Sequence, residues 1–264
     1  MTESQFSSLG ISDEIVRAIT EMGFEAPTEI QEKSIPLVLA GRDVIGRSHT
    51  GTGKTAAFGI PAVERIDPEE EHVQVLVLSP TRELAMQSCQ EIRKFSKYKP
   101  GIKAVPVYGG QPIEKQLFLL KKGANIVIGT PGRVMDHMRR RTLKLDHLKM
   151  IILDEADEML NMGFREDIET ILKDIPQERQ TVLFSATMPP AILAITREFQ
   201  TDPEMVEIRK DTRTIDTVEQ TAYNVPQGRK MDALRLLLEF HQPALSIIFC
   251  NTKRMVEQLG EYLN

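Results

Sequence analysis

The chain has 264 residues, of which 41% are hydrophobic and 27% are charged, as is ordinary for a folded globular protein. Its formal net charge of −5 argues against a protein that coats nucleic acid through bulk positive charge, and leaves local basic contacts open. The length predicts one full α/β domain plus a piece of another.

Up to about residue 199 the chain alternates apolar and helical segments. Nearly continuous apolar runs predict buried strands at DVIGRS (43–48), VQVLVLS (73–79), AVPVYG (104–109), NIVIGT (125–130), KMIILD (149–154) and TVLFSA (181–186). Helices are predicted at DEIVRAITEM (13–22), TEIQEKSIPLVLA (28–40), GKTAAFGIPAVERI (53–66), RELAMQSCQEIRKFS (82–96) and PPAILAITREF (189–199). This alternation predicts a parallel sheet with helices on both faces, whose ligands bind at the carboxyl ends of the strands.

The pattern changes near Asp211, where KDTRTIDTVEQ (210–220) is polar and aperiodic. We predict a first domain over residues 1–209, a linker over 210–218 and a partial second domain over 219–264. In the last segment, strands are predicted at TAYNV (221–225) and ALSIIFC (244–250), and helices at RKMDALRLLLEF (229–240) and KRMVEQLGEYL (253–263). Two strands bury too little apolar surface to stand alone, so we expect a truncated domain.

The two cysteines, Cys89 and Cys250, are far apart and have no metal-ligand spacing, so neither a disulfide framework nor a zinc site is predicted. The amino terminus lacks a basic segment followed by an apolar stretch, and no apolar run approaches the roughly 18 residues of a membrane span. We expect a cytoplasmic protein without a membrane partner.

The segment SHTGTGKT (48–55) follows the first predicted strand and opens a helix. Glycines let backbone N–H groups approach phosphate oxygens, and the helix amino terminus adds its positive end. In this pattern Lys54 contacts the β- and γ-phosphates and Thr55 holds Mg²⁺. The strict pattern begins with glycine, where this chain has Ser48, and the alternative is a glycine-rich strand-to-helix turn.

The segment MIILDEADEML (150–160) passes from an apolar run into acidic residues. Asp154 lies where a central strand leaves the core, and its carboxylate completes the Mg²⁺ site, through a water molecule. Glu155 is placed to act as general base for the attacking water. The alternative is an acidic helix amino terminus, which the helix dipole favours.

Together these segments resemble DEAD-box RNA helicases of superfamily 2, from about Phe6 to the carboxyl end, with Asp154, Glu155, Ala156 and Asp157 intact. The resemblance implies a RecA-like P-loop NTPase sheet followed by a truncated second RecA-like domain. It implies an ATP-hydrolysing enzyme that uses ATP and Mg²⁺ and binds RNA through sequence-independent backbone contacts. Lys54, Asp154 and Glu155 would be the catalytic residues.

The segment GFEAPTEIQ (23–31) resembles the adenine-recognition segment of that family. Gln31 would bond the adenine edge and Phe24 would pack against the base, although Thr28 and Gln31 also form a capping-box pattern. Ser48 and His49 stand where the family usually has alanine and glutamine, and His49 receives no catalytic role. The resemblance assigns nucleotide binding to Phe24, Thr28, Gln31, Ser48, His49, Thr50, Gly51, Thr52, Gly53, Lys54 and Thr55.

Three further segments resemble those that line the family's RNA groove. The implied RNA-binding residues are Pro80, Thr81, Arg82, Gly109, Gly110, Thr130, Pro131, Gly132 and Arg133. Arg82 and Arg133 are the first choices for phosphate contacts, and the 2′-hydroxyl is the group that distinguishes RNA from DNA. Thr130 with Pro131 is also typical of a helix start, which is compatible with phosphate binding. We interpret Arg139, Arg140 and Arg141 as a solvated helix end.

The SAT segment consists of Ser185, Ala186 and Thr187, and it resembles the motif that couples hydrolysis to strand separation, through hydrogen bonds near Asp157. Its alternative is a helix start capped by Thr187. IIFCNTKR (247–254) resembles the first motif of the family's second domain, but the later arginine-bearing motifs have no counterpart before Asn264. An arginine finger contributes about 10³–10⁵ in turnover, so this chain is expected to bind nucleotide and to hydrolyse it weakly.

Two rival interpretations remain. One is another P-loop enzyme, such as a DNA translocase or a stand-alone ATPase, against which Gln31 and its segment argue. The other is a truncated module that binds nucleotide or RNA without turnover, which intact Lys54 and Glu155 do not exclude.

Overall fold

The computed structural model describes residues 5–49, 51–208, 219, 221–226 and 228–263. The chain divides into two compact units, Met1–Arg209 and Lys210–Asn264. The predicted linker, 210–218, and the predicted nucleotide-binding residue Thr50 lie outside the described residues.

The first unit is built on one parallel sheet of seven strands. They are β1 (Val44–Arg47), β2 (Val75–Leu78), β3 (Ala104–Val107), β4 (Ile126–Gly129), β5 (Met150–Leu153), β6 (Gln180–Ser185) and β7 (Glu204–Glu207). Their order is β3-β4-β2-β5-β6-β1-β7, and every pairing is parallel. The predicted fold class is therefore confirmed, and all six strands predicted for this unit are present.

Strand β7 was not predicted. Its sequence EMVE buries only Val206, with the flanking positions half-buried or exposed, so it lacks the continuous apolar character of the other strands. It forms because β1 offers an open edge, and Gly46 of β1 is paired with Val206.

Helices cover both faces of this sheet. They are α1 (Asp13–Glu21), α2 (Glu29–Leu39), α3 (Lys54–Glu64), α4 (Arg82–Phe95), α5 (Ile113–Lys121), α6 (Pro131–Arg139), α7 (Ala156–Asn161), α8 (Arg165–Asp174) and α9 (Pro190–Phe199). All five predicted helices are present. Helices α6 and α7 begin at the two helix starts that the sequence offered as alternatives, at Thr130–Pro131 and in the acidic segment. Helices α5 and α8 are additions; the one buried residue of α5 is polar Gln116, so no apolar stripe reveals this helix.

The core has two layers, one on each face of the sheet. Alternate residues of β2 enter different layers, since Val75 and Val77 join the α1–α4 side while Leu76 and Leu78 join the α6–α9 side. Burial on both faces explains why the strand sequences are continuously apolar. The sheet is thereby held rigidly, and its carboxyl edge is free to carry loops.

In the second unit, α10 (Lys230–His241) and α11 (Lys253–Leu263) occupy the two predicted helical segments. The predicted strands 221–225 and 244–250 are wrong, because neither segment forms a strand among the described residues. Ile247 and Phe249 are 76% and 91% exposed. An apolar run becomes a strand only where its backbone finds a partner, and two strands by themselves are marginal.

No helix in the described part of the chain is both long enough and apolar enough to cross a membrane.

Candidate functional site

The predicted phosphate, acidic, SAT and RNA segments follow strands at the carboxyl edge of the sheet, whereas the predicted adenine segment, 23–31, precedes β1. The predicted RNA segments follow β2, β3 and β4, which are neighbours at one side of the sheet. The predicted phosphate loop follows β1, while the acidic segment and the SAT segment follow β5 and β6 between them. This strand order places the predicted RNA residues on one side of the edge and the predicted nucleotide residues on the other, with the predicted coupling residues between them. We call these the RNA side and the nucleotide side.

The phosphate loop has the backbone form that its glycines allow. Gly51 and Gly53 have φ of +81° and +88°, and Gly53 is the residue that caps α3. Lys54, only 7% exposed, donates from Nζ to the Ser48 carbonyl at 3.4 Å. The Thr52 hydroxyl lies 3.1 Å from the Ser48 hydroxyl. Ser48, the departure from the usual family residue, therefore helps to close the loop.

Two carboxylates face this loop from the end of β5. Glu155 has left-handed backbone angles, φ 51° and ψ 52°, at the start of α7, and its Oε1 lies 3.9 Å from Lys54 Nζ. Asp154 is 5% exposed, and its Oδ1 is buried without a hydrogen-bond partner. Burial raises the pKa of Asp154 to about 7; neighbouring Lys54 opposes this shift and Glu155 adds to it.

The donor set fits a magnesium ion that is shared with a nucleotide. No group of three or more His, Cys, Asp or Glu residues within the described chain is arranged to hold a metal unaided. Magnesium in such sites takes few protein ligands and completes its shell with phosphate and water. The unsatisfied Asp154 Oδ1, through a water molecule, and the half-buried Thr55 hydroxyl would supply those few.

Gln31 makes the contact expected of a capping residue and a second contact to the phosphate loop. The Thr28 N–H donates to Gln31 Oε1 at 3.0 Å, and Gln31 Nε2 donates to the Gly53 carbonyl at 3.1 Å. The Thr28 hydroxyl donates to the Thr52 carbonyl at 2.8 Å. The oxygen and the nitrogen of the Gln31 amide each keep one unused hydrogen-bonding position, and the side chain is only 2% exposed.

Phe24 belongs to a small aromatic cluster. Its ring centroid lies 6.1 Å from that of Phe6 and 6.3 Å from that of Phe95, and the ring is half-buried. Phe6 is fully buried. Only part of the Phe24 ring is therefore open to a base.

Arg82 is the most accessible cation among the predicted RNA residues. Its guanidinium carbon lies 5.2 Å from the ring centroid of Tyr108, which precedes exposed Gly109 and Gly110. Thr81 caps α4 by accepting from the Leu84 N–H at 3.2 Å. Pro80 is buried, so it shapes the backbone.

Arg133 is tied within the protein. Both of its Nη atoms donate to the Gln111 carbonyl at 3.2 Å, and its side chain is 15% exposed. Thr130 and buried Pro131 start α6, with Gly132 exposed beside them. Arg82 is therefore more available than Arg133 for a contact with phosphate. Arg139 and Arg140 are exposed, as expected for a solvated helix end.

Sequence reasoning missed a buried polar relay beneath these loops. His137, fully buried, contacts Thr142 Oγ1 at 2.9 Å and Gln116 Oε1 at 3.0 Å. Gln116 Nε2 donates to the Tyr108 carbonyl at 2.9 Å. Burial and the charge of Arg133 lower the pKa of His137. The relay joins residues that are distant in sequence, so no local pattern reveals it.

Asp157 receives hydrogen bonds from the SAT segment, as was predicted. The N–H and hydroxyl of Thr187 donate to Asp157 Oδ2 at 2.9 and 2.7 Å. The Ser185 hydroxyl donates to the Thr187 carbonyl at 2.7 Å, and the half-buried Ala186 lies between these two residues. Burial alone would raise the pKa of Asp157, but the hydrogen bonds that its carboxylate accepts outweigh it and lower that pKa. Thr187 does not cap a helix, since Pro189 takes the cap position of α9.

Comparisons with known proteins agree on one family. Residues 28–195 match the family described as DEAD/DEAH box helicase. The DEAD-box ATP-dependent RNA helicase CshA of Geobacillus kaustophilus is 50% identical over 259 residues, which cover 98% of this chain and 55% of that protein. The ATP-dependent RNA helicase CshA of Listeria monocytogenes is 50% identical over 261 residues, covering 99% and 50%.

A solved structure is similar over nearly the same span. The crystal structure of a DEAD box protein from the hyperthermophile Methanococcus jannaschii matches with a TM-score of 0.75 and 40% identity, covering 98% of this chain and 69% of that one. The chain spans about half the length of the curated relatives that it matches.

Proposed function

Because the chain belongs to the DEAD/DEAH box helicase family, we propose that it is the nucleotide-binding part of an ATP-dependent RNA helicase, an RNA-stimulated ATPase that separates short RNA duplexes locally. The observation that carries the proposal is the meeting of three groups at one sheet edge. Lys54 Nζ lies 3.9 Å from Glu155 Oε1, and beside them Asp154 presents a buried oxygen without a partner.

Each of these residues has a role that its surroundings support. The backbone of 51–53 and Lys54 bind the phosphates, and Gln31 with Phe24 selects adenine. Asp154, through water, and Thr55 hold Mg²⁺, which would neutralise charge on the phosphates when bound. Glu155 accepts a proton from the attacking water.

RNA binds across the loops that follow β2, β3 and β4. Arg82 contacts phosphate, and the exposed backbone at Gly109, Gly110 and the start of α6 contacts phosphate or 2′-hydroxyl groups. Such contacts read no bases, so recognition is independent of sequence. Asp157 with the SAT segment couples the two sides of the edge. We place this activity in the cytoplasm, where ATP and RNA are both available.

The test is ATP turnover and nucleotide binding by this 264-residue chain, with and without single-stranded RNA. We expect nucleotide binding that Lys54→Ala abolishes, and slow turnover, because the chain spans about half of its relatives and the catalytic arginines that the resemblance implies have no counterpart in it. Single-stranded DNA serves as the comparison. Stimulation by DNA as strong as by RNA would contradict the proposal and favour another P-loop enzyme.

A second candidate is a module that occupies nucleotide or RNA without turnover. The proximity of Lys54 and Glu155 is compatible with it, because the same side chains can hold a nucleotide that is not hydrolysed. Glu155→Gln separates the two, because it removes the general base and keeps the shape. Loss of residual turnover with unchanged nucleotide binding supports the enzyme, whereas no measurable turnover in either protein supports the module.

A further inference from the structure

The open edge of the sheet carries a basic groove that the predicted motifs do not include. We define the β3 groove as the depression lined by Arg93, Lys97, Lys99, Lys103, Lys122 and Leu119, with a volume of about 680 Å³. No aspartate or glutamate lines it, although the chain as a whole has a net charge of −5. Four other grooves in the described part of the chain each include at least one carboxylate.

Three of the five cations in this groove have no carboxylate partner within the described residues. Lys97 is paired with Glu21 and Lys99 with Glu64. Arg93 donates instead to the Ala104 carbonyl at 2.7 and 3.0 Å, and Lys103 Nζ donates to the Lys122 carbonyl at 3.1 Å. Both keep further N–H donors, so they can bind an anion without breaking these bonds.

The open side of β3 offers few backbone groups to an added β-strand. The carbonyls of Lys103 and Val107 accept from Ile126 and Thr130 on the β4 side, so Ala104 and Pro106 present their backbone groups to the open side. Pro106 has no N–H, and the carbonyl of Ala104 is occupied by Arg93. On this side β3 keeps the Ala104 N–H and the Pro106 carbonyl, so side chains provide most of the recognition at this edge, and those side chains are cationic.

An aromatic ring beside the cations favours nucleic acid over an acidic peptide. Phe118 is 58% exposed, and Lys122 Nζ lies 4.4 Å from its ring centroid. An exposed ring next to unpaired cations is the combination that binds single strands, because a base stacks while the adjacent phosphate meets the cation. Leu119 continues the apolar surface into the groove.

The groove also lies in line with the proposed RNA loops. It flanks the start of β3, whereas Gly109 and Gly110 follow the end of the same strand. Five residue steps of about 3.3 Å separate Ala104 from Gly109, or roughly 17 Å along the strand. We infer that the β3 groove binds the phosphate backbone of a single-stranded RNA segment that extends beyond the carboxyl-edge site. The inference rests on the proposed RNA-binding activity and adds a flanking subsite to it.

The test compares a short and a long labelled oligouridylate, about 6 and about 20 nucleotides, by fluorescence anisotropy on the 264-residue chain with a non-hydrolysable ATP analogue and Mg²⁺. The groove variant is Lys103→Gln with Lys122→Gln. The matched control is Lys144→Gln with Lys173→Gln, two exposed lysines elsewhere on the first unit. Each variant takes the net charge from −5 to −7, so bulk electrostatics are equal.

We expect the groove variant to bind the long oligonucleotide on the order of tenfold more weakly at about 0.1 M salt, with a log–log salt slope smaller by about 1.4. Binding of the short oligonucleotide should change less than about twofold, and the control should match the parent. Phe118→Leu should weaken long-oligonucleotide binding about fivefold, because it keeps the apolar bulk and removes the stacking ring.

Equal loss in the groove and control variants would overturn the inference, as would equal affinity of the parent for both lengths. In the alternative case, polyglutamate displaces the long oligonucleotide as readily as unlabelled oligouridylate does, while Phe118→Leu has no effect. That result would assign the groove to an acidic peptide. Failure of the parent to bind either RNA would overturn the proposed function together with this subsite. Binding of both RNAs with an unaffected groove variant would overturn the subsite alone.

Discussion

At the scale of single residues, Asp154 is held in a state that the ligand-free protein does not favour. Its carboxyl is buried, lacks a partner for Oδ1, and has a pKa raised to about 7 by that burial. A bound cation would offset the free-energy cost of burying this negative charge, which explains why a carboxylate is tolerated at this place. The raised pKa of Asp154 also makes stability depend on pH, so it can be measured in the absence of ligand.

Asp154→Asn should stabilise the ligand-free protein at pH 8 and lose this effect towards pH 4. Because the pKa rises from 3.8 to about 7 on folding, the unfolded chain ionises first as the pH increases, and folding stability falls between these values. The difference at pH 8 should be on the order of 4 kcal/mol. Urea unfolding at several pH values, in the presence of a chelator, measures it.

The control for this prediction is Asp146→Asn, which changes an exposed carboxylate of the same unit. It should alter the free energy of unfolding by less than about 0.5 kcal/mol. A constant difference between Asp154→Asn and the parent from pH 4 to 8 would contradict the assignment of the raised pKa to Asp154.

Gly53 is required for two separate reasons. Its φ of +88° disfavours any side chain, and an added Cβ would lie 2.3 Å from Gln31 Nε2. Gly53→Ala should therefore weaken nucleotide binding and lower stability by about 1–3 kcal/mol. Isothermal titration with nucleotide measures the affinity, and urea unfolding measures the stability.

The matched control is Gly163→Ala, because Gly163 has a similar φ of +86° with open space around the added Cβ. It should show only the backbone cost of about 1 kcal/mol and bind nucleotide normally. Equal behaviour of the two variants would show that the contact between Gly53 and Gln31 is unimportant.

At the scale of elements, the contact between the loops after β5 and β6 lies between the two halves of the site. Strand β5 neighbours β2 on the RNA side, and β6 neighbours β1 on the nucleotide side. The bonds from Thr187 to Asp157 therefore join the two loops that lie between the two sides, as the proposed coupling role requires. The buried His137 relay holds the Tyr108 backbone on the RNA side in a comparable way.

Thr187→Val should cost about 1.5–3 kcal/mol of stability at pH 7, because it removes the hydroxyl that donates to a charged, nearly buried carboxylate. Since the pKa of Asp157 is lowered in the folded state, this contribution is present above the unfolded pKa and is lost as the pH falls through the folded one. Urea unfolding at pH 7 provides the measurement.

Thr170→Val is the matched substitution, since the Thr170 hydroxyl donates to the Glu166 carbonyl on the exposed face of α8. Its effect should stay within about 0.5 kcal/mol. A Thr187→Val protein as stable as the Thr170→Val protein would mean that the Asp157 contact does not hold the two loops together.

At the scale of the whole molecule, all described nucleotide-site residues belong to the unit Met1–Arg209. A shortened chain of residues 1–209 should therefore bind an ATP analogue within about twofold of the affinity of the 264-residue chain. Isothermal titration of both chains checks this, with Lys54→Ala in each as the non-binding control. A tenfold or greater loss on shortening would show that the second unit contributes to the nucleotide site.

Local sequence patterns determined much of this protein. Six strands follow from continuous apolar runs, and the phosphate loop follows from SHTGTGKT between a strand and a helix. These features depend on backbone preference and burial over a few residues, which neighbours in the chain decide. The same reasoning failed for 244–250, because strand formation also needs a partner that the run itself cannot supply.

The tertiary structure alone decided which of these segments meet. The order β3-β4-β2-β5-β6-β1-β7 separates the RNA side from the nucleotide side, and no single segment encodes it. Gln31 reaches the Gly53 carbonyl, Arg133 is held by Gln111, and Asp154 loses its solvent only when the sheet and helices pack together. Burial and long-range hydrogen bonds depend on residues distant in sequence, so the chemistry of each side chain is specified by the sequence and its surroundings by the fold.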